Sequence, residues 1–117
     1  MWTYNSTSGE LDHNGIFQEV GYSGTKTGRN NPELESVYNV GPIPRGQYLI
    51  GIALDHPHLG PCVMHLSPLK ETQVFGRNGF LIHGDSARHD ASHGCIILGL
   101  LLRKAIAANP DRQLEVV

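Results

Sequence analysis

Apolar residues in this chain fall mostly in short runs bounded by turn residues, the pattern of strands rather than helices. Trp2-Thr3-Tyr4 and Gly15-Ile16-Phe17 read as two short strands, with the turn-rich Asn5 to Asn14 as their hairpin connection. A loop of small polar residues and glycines runs from Gly21 to Asn31. Asn31-Pro32-Glu33 then has the cap, proline and acidic first-turn order of a short helical turn. Ser36 to Val40 reads as a strand stopped by Gly41-Pro42-Ile43-Pro44-Arg45-Gly46, because the two prolines cannot donate to a ladder. Gln47 to Ala53, Cys62 to Leu66 and Phe80 to His83 follow as further strands. One helix is predicted, over Leu98 to Ala108, with Leu98, Leu101, Leu102, Ala105 and Ile106 on one stripe. Arg103 and Lys104 would sit in its latter half, where the helix dipole favours cations, and Asn109-Pro110 would stop it. Leu114 to Val117 closes the chain as a strand. The pattern predicts one mainly β domain over 1–117 with one packed helix.

Composition narrows the function classes. With 117 residues the chain can bury a core without disulfide staples, and 14 Gly plus 7 Pro favour a turn-rich fold. Nine basic against eleven acidic residues, scattered along the chain, give no footprint for a phosphate backbone, so nucleic acid is not an expected partner. The longest apolar stretch, Ile96 to Leu102, is far short of the roughly 20 residues of a membrane span. Met1 to Ser6 lacks the features of a signal peptide, so work outside the cytoplasm implies a dedicated secretion route. Cys62 and Cys95 alone do not make a disulfide framework.

The chemistry concentrates between Phe80 and Ile96. His83-Gly84-Asp85 leaves a predicted strand, and Ser92-His93-Gly94-Cys95 follows with eight residues between His83 and Ser92. A thiol becomes a useful nucleophile when an imidazole takes its proton and backbone N–H groups stabilise the oxyanion on the attacked carbonyl. Gly94 lacks a Cβ, so the backbone there can turn its N–H and that of Cys95 toward one point. An arbitrary cysteine is more often a buried core thiol, but Ser-His-Gly-Cys behind an upstream His-Gly favours the nucleophile.

On these residues the chain resembles the L,D-transpeptidase (YkuD-like) catalytic domain, a family of peptidoglycan cysteine enzymes, and most of all its small branch of type VI secretion effectors. Tyr22-Ser23-Gly24 with Gly28 to Pro32, and Asn39-Val40-Gly41-Pro42-Ile43-Pro44-Arg45-Gly46, support the same resemblance. It implies a β-sandwich or barrel domain, with Cys95 as nucleophile, His83 as base, and the Gly84 carbonyl orienting the imidazole. It also implies an oxyanion hole from N–H groups around His93, Gly94 and Cys95. The reaction implied is cleavage of the bond between diaminopimelate and D-alanine in tetrapeptide stems, by L,D-carboxypeptidase or D-amino acid exchange activity. Ile96-Ile97-Leu98-Gly99 stands where the family has Arg and Asn after its Cys, so acceptor recognition differs and water is favoured as acceptor. Delivery into a competitor's periplasm through the secretion apparatus, and a cognate immunity protein, are implied as well; no cofactor is.

The remaining polar residues have competing readings. Asp85 could orient an imidazole or serve an Asx turn, and His93 could shape the oxyanion hole or be structural. Ser92 reads as a positioning hydrogen-bonder beside the substrate. Arg29, Arg45 and Arg88 are candidate partners for an acidic stem peptide, against the plainer reading as solvated surface. His56, His58 and His65 raise a zinc-site reading but lack ligand spacing, so no metal is expected. Cys62 alternates with Met64 and Leu66 as a core thiol, and Pro42 and Pro44 form a rigid turn. Two alternative functions stay open: a papain-like cysteine hydrolase of another amide bond, although no His follows Cys95, and a non-enzymatic His/Cys metal-binding module.

Overall fold

The computed structural model describes residues 1–117 and contains nine strands and one helix. The strands are β1 (Trp2–Tyr4), β2 (Glu10–His13), β3 (Ile16–Val20), β4 (Tyr22–Ser23), β5 (Gly46–His56), β6 (Gly60–Pro68), β7 (Leu81–His83), β8 (Ile96–Ile97) and β9 (Gln113–Val116); the helix is α1 (Leu100–Ala108). They form one mixed sheet in the order β3-β2-β1-β9-β5-β6-β7-β8-β4. The fold is mainly β, as the sequence predicts, but the sheet is open, with β3 and β4 as its edges, rather than closed into a barrel. The Asn31 turn also forms, as a 3-10 helix over Pro32–Leu34 whose Glu33 N–H donates to the Asn31 side chain.

The β5–β6 hairpin is the spine. His56 Nδ1 accepts from the N–H groups of His58 (3.1 Å) and Leu59 (3.0 Å), which fixes its turn. Tyr48, Ile50, Met64 and Leu66 face inward from it, and Ile82 and Ile96 extend that row across β7 and β8. Trp2, Tyr4, Leu11, Leu114 and Val116 complete the core from the other side of the sheet order, and Ile106 joins it from α1. Each such side chain contributes about 1.5–3 kcal/mol by leaving water. No helix is long and apolar enough to cross a membrane.

Three expectations are corrected. The segment Asn5 to Asn14 is not a connection: Glu10–His13 forms β2 between the two predicted strands, because Leu11 reaches the core and Asn14-Gly15 makes the tight turn to β3. Asn14 and Gly15 have φ of 50° and 82°, the left-handed pair that a two-residue hairpin requires. Ser36 to Val40 is a run of turns, closed locally by Val37 N–H to Leu34 O (2.9 Å) and Gly41 N–H to Val37 O (3.0 Å). Val37 and Tyr38 are exposed, so no burial favours pairing that segment as a strand.

The third correction concerns the helix, which begins at Leu100; Leu98 instead continues from β8, its N–H bonded to His83 O (3.1 Å). Its buried residues are Arg103 and Ile106, and Leu101 is 85% exposed. Arg103 is turned inward because backbone carbonyls receive it: Nε donates to Leu98 O (2.9 Å), and Nη1 to Pro61 O (2.7 Å) and Cys62 O (3.3 Å). A buried cation that keeps its hydrogen bonds avoids most of the desolvation cost. Urea unfolding should therefore separate the two faces of α1. Ile106→Ala is expected to lose about 2–4 kcal/mol, and Leu101→Ala to stay within about 0.5 kcal/mol of wild type. Equal losses would restore the helix face read from the sequence.

Candidate active site

β7 and β8 run parallel in the register Ile82 to Ile96 and His83 to Ile97. Side chains alternate faces along a strand, so Ile82 and Ile96 fill the core while His83 and Ile97 point to the other face. Cys95, one residue before Ile96, turns to that same face as His83. The candidate site thus rests on two strands of three and two residues, with Gly84 directly after β7 and Gly94 two residues before β8.

His83 is 2% exposed, and its Nδ1 lies 2.8 Å from Gly84 O. With the carbonyl as acceptor, Nδ1 carries the proton and Nε2 is the basic nitrogen. Burial pulls the His83 pKa below the ordinary 6.5, and the charge of Arg103 adds to that, so the imidazole is neutral at neutral pH. Cys95 is partly buried, with its Sγ 3.8 Å from Gly79 O. Burial pushes its thiol up, against the opposing pull of the Leu81 N–H and the charge of Arg77. At neutral pH the thiol and the imidazole are thus both neutral.

The turn carrying Cys95 is held from two directions. Ser92 is fully buried, and its hydroxyl donates to Cys95 O (2.7 Å) while accepting from Gly24 N–H (2.9 Å) and Gly94 N–H (3.3 Å). All its bonding capacity is spent on the protein, so Ser92 is a scaffold residue and not the substrate contact expected of it. Gly94 has φ of 120°, and a Cβ there would collide with Arg77 Nη2. Only glycine satisfies both constraints.

Arg77 is the residue that sequence reasoning missed. It is 5% exposed, and its guanidinium donates to the carbonyls of Glu35, Pro42 (2.8 Å) and Gly41 (3.0 Å), clamping the Gly41–Pro42 turn under Gly94. The available signal was an arginine set among glycines, Gly76-Arg77-Asn78-Gly79, just ahead of the strand that carries His83.

The other predicted residues lie as follows. Asp85 does not orient His83; its carboxylate receives Tyr22 Oη–H (2.5 Å), Ser86 N–H (2.8 Å) and His89 Nδ1 (2.7 Å), tying the 85–90 loop to β4. Burial would raise its pKa, but the hydrogen bonds from Tyr22 and His89 outweigh it and keep the carboxylate ionised. Tyr22 in turn stays protonated, pushed up to about 12 by burial and by Asp85. Arg29 stacks on the Tyr22 ring at 3.7 Å and donates to His89 O (2.8 Å). His93 is exposed, its Nδ1 3.4 Å from Asn39 O. Arg88 is exposed, and Arg45 forms a bidentate pair with Glu35 (2.8 and 3.1 Å) against a different cavity. His56 and His58 occupy the β5–β6 turn and His65 an exposed position on β6, so the three histidines do not converge. Cys62 is buried, as its alternation predicts.

No curated protein matches this chain. The Tlde1 domain model does match, over residues 18–109, a span that runs from β3 through the β5–β6 spine, His83 and Cys95 to the end of α1. On that match the chain belongs to the Tlde1 domain family of type VI secretion effectors.

Proposed function

We propose that the protein is a cysteine enzyme of peptidoglycan, an L,D-carboxypeptidase with D-amino acid exchange activity. The observation that supports this reading is the parallel pairing of β7, which ends in His83, with β8, which Cys95 immediately precedes, together with the His83 Nδ1 contact to Gly84 O that leaves Nε2 as the basic nitrogen. Membership of the Tlde1 family supports an effector role for such chemistry.

In this reading His83 Nε2 takes the Cys95 proton as Sγ attacks the amide carbonyl at the L-centre of diaminopimelate. The oxyanion meets the Cys95 N–H, because the Gly94 N–H is already engaged by Ser92 Oγ. Collapse breaks the C–N bond, His83 returns its proton to the leaving nitrogen, and D-alanine departs from a thioester. Water, deprotonated by His83, cleaves the thioester and restores the thiol; a D-amino acid amine in its place gives exchange. The buried arginine beneath Gly94 makes the thiolate less costly at the moment of attack, which burial alone would not. The target stems lie in the periplasm of a competing cell, and the producer carries an immunity protein that covers the Cys95 face.

The neutral resting pair fixes the pH behaviour. Iodoacetamide alkylation of Cys95, measured in a Cys62→Ser background, should keep rising through pH 9, the ordinary thiol value, while the acid limb of kcat/KM lies below 6.5. An alkylation plateau between pH 6 and 8 would indicate a preformed thiolate–imidazolium pair instead.

Two substitutions test the assignment. Cys95→Ala should fold with a native melting temperature and release no D-alanine from tetrapeptide stems, and His83→Ala should slow release about 10²-fold or more at neutral pH. D-alanine release surviving in Cys95→Ala removes the mechanism. In a Gram-negative host the protein should be harmless in the cytoplasm, toxic when given a periplasmic signal, and harmless again with that signal and Cys95→Ala. Toxicity that ignores the signal or the cysteine would place the target outside the cell wall.

A further inference from the structure

Beyond His83, at the C-terminal ends of β7 and β8, the surface opens into a cavity of about 590 Å³. Ile97, the sheet partner of His83, lines it, as does Asp85, two residues beyond the histidine. So does Arg103 of α1, which is only 6% exposed. Its Nε and Nη1 are spent on the carbonyls of Leu98, Pro61 and Cys62, whereas Nη2 makes no hydrogen bond within the protein. Nη2 is therefore the part of the guanidinium left to face the cavity. It also packs directly against Gly84, where a Cβ would come within 2.6 Å of it.

Nη2 is thus a charged donor at the cavity with no acceptor supplied by the protein. The fork is held rigidly by its other nitrogens, which is the arrangement that favours a carboxylate oxygen. The remaining charged groups of the cavity modify that choice. Arg29 is stacked on Tyr22 and bonded to His89 O. Glu19 accepts from Gly99 N–H (2.7 Å), and the Asp85 carboxylate holds Tyr22, Ser86 and His89. Two carboxylates near one free guanidinium nitrogen disfavour a bare anion and suit an ammonium group carried on the same small ligand.

We propose that this cavity is a subsite for a zwitterionic amino-acid head group, its carboxylate on Arg103 Nη2 and its ammonium toward Glu19 and Asp85. The proposal rests on the peptidoglycan reading for the source of the ligand. Both the D-centre of diaminopimelate in the donor stem and a free D-amino acid acceptor present that head group.

The test is binding, which needs no turnover. The ¹⁵N-labelled protein is titrated with a diaminopimelate-containing tripeptide, with the lysine tripeptide that keeps the ammonium and lacks the carboxylate, with D-alanine and with D-alaninamide. Saturable shifts of the Gly84, Ile97 and Gly99 amides are expected with the diaminopimelate tripeptide, D-alanine or both. The lysine and amide counterparts should bind at least about tenfold more weakly. Response to the tripeptide alone assigns the subsite to the donor, and response to D-alanine alone assigns it to the acceptor. No saturable shift with either, or equal binding of the counterparts, overturns the proposal.

Arg103→Met should abolish the shifts. Should it fail to fold, Leu100→Glu at the half-exposed rim sets a competing carboxylate at the mouth and should weaken binding about tenfold or more, and unchanged binding there overturns the proposal too. A protein that binds the head group but releases no D-alanine would leave the subsite standing and remove the peptidoglycan enzyme reading.

Discussion

The parallel pairing of β7 with β8 is the constraint on which the rest depends. Two short strands cannot hold themselves together, and they are held here by their neighbours: β7 against β6 at Met64 and His65, and β8 against β4 at Tyr22 and Ser23. The core face of the pair, Ile82 with Ile96, is locked by burial. Because side chains alternate, locking that face fixes the opposite one, and a slip of one residue would turn His83 and Cys95 into the apolar core in place of the isoleucines. The placement of His83 thus follows from the hydrophobic face behind it.

Two buried arginines finish what the strands begin. Arg77 packs against Gly94, the residue before Cys95, and Arg103 packs against Gly84, the residue after His83. Each guanidinium is anchored on backbone carbonyls from a distant part of the chain, Glu35, Gly41 and Pro42 for Arg77 and Pro61 and Cys62 for Arg103, to which Leu98 adds a local one. Each glycine is required because a Cβ would strike the guanidinium. The electrostatic consequences differ with position: Arg77 lowers the cost of a thiolate at Cys95, and Arg103 helps burial keep His83 unprotonated. One set of interactions positions the backbone and tunes both members of the pair.

Much of this was legible in the sequence, for physical reasons that also explain the failures. The strands at Gln47 to Ala53 and Cys62 to Leu66 could be read because alternation and Gly or Pro boundaries are local signals. His83, Gly84 and Cys95 could be singled out because reactive residue types clustered near glycine. The strand at Glu10–His13 was hidden by its single core residue, Leu11, although Asn14-Gly15 marks the turn after it. The sequence suggests for Arg103 only a cation favoured by the helix dipole, since nothing in α1 itself reveals the carbonyls of Pro61 and Cys62 about forty residues earlier. The partners of Arg77 and the Tyr22–Asp85 link leave no local pattern for the same reason: they lie far away in sequence. Tertiary hydrogen bonds to backbone carbonyls leave no periodic trace.

In the proposed mechanism Cys95 carries a covalent acyl intermediate. Intact-mass spectrometry of the acid-quenched protein, after brief mixing with a tetrapeptide stem, would detect it. The mechanism predicts a species heavier by the tripeptide acyl group, mapped to Cys95 by peptide digestion, alkali-labile as a thioester is, and absent in Cys95→Ala. Rapid release of D-alanine with no acyl group trapped on Cys95, or with the group on another residue, would contradict it.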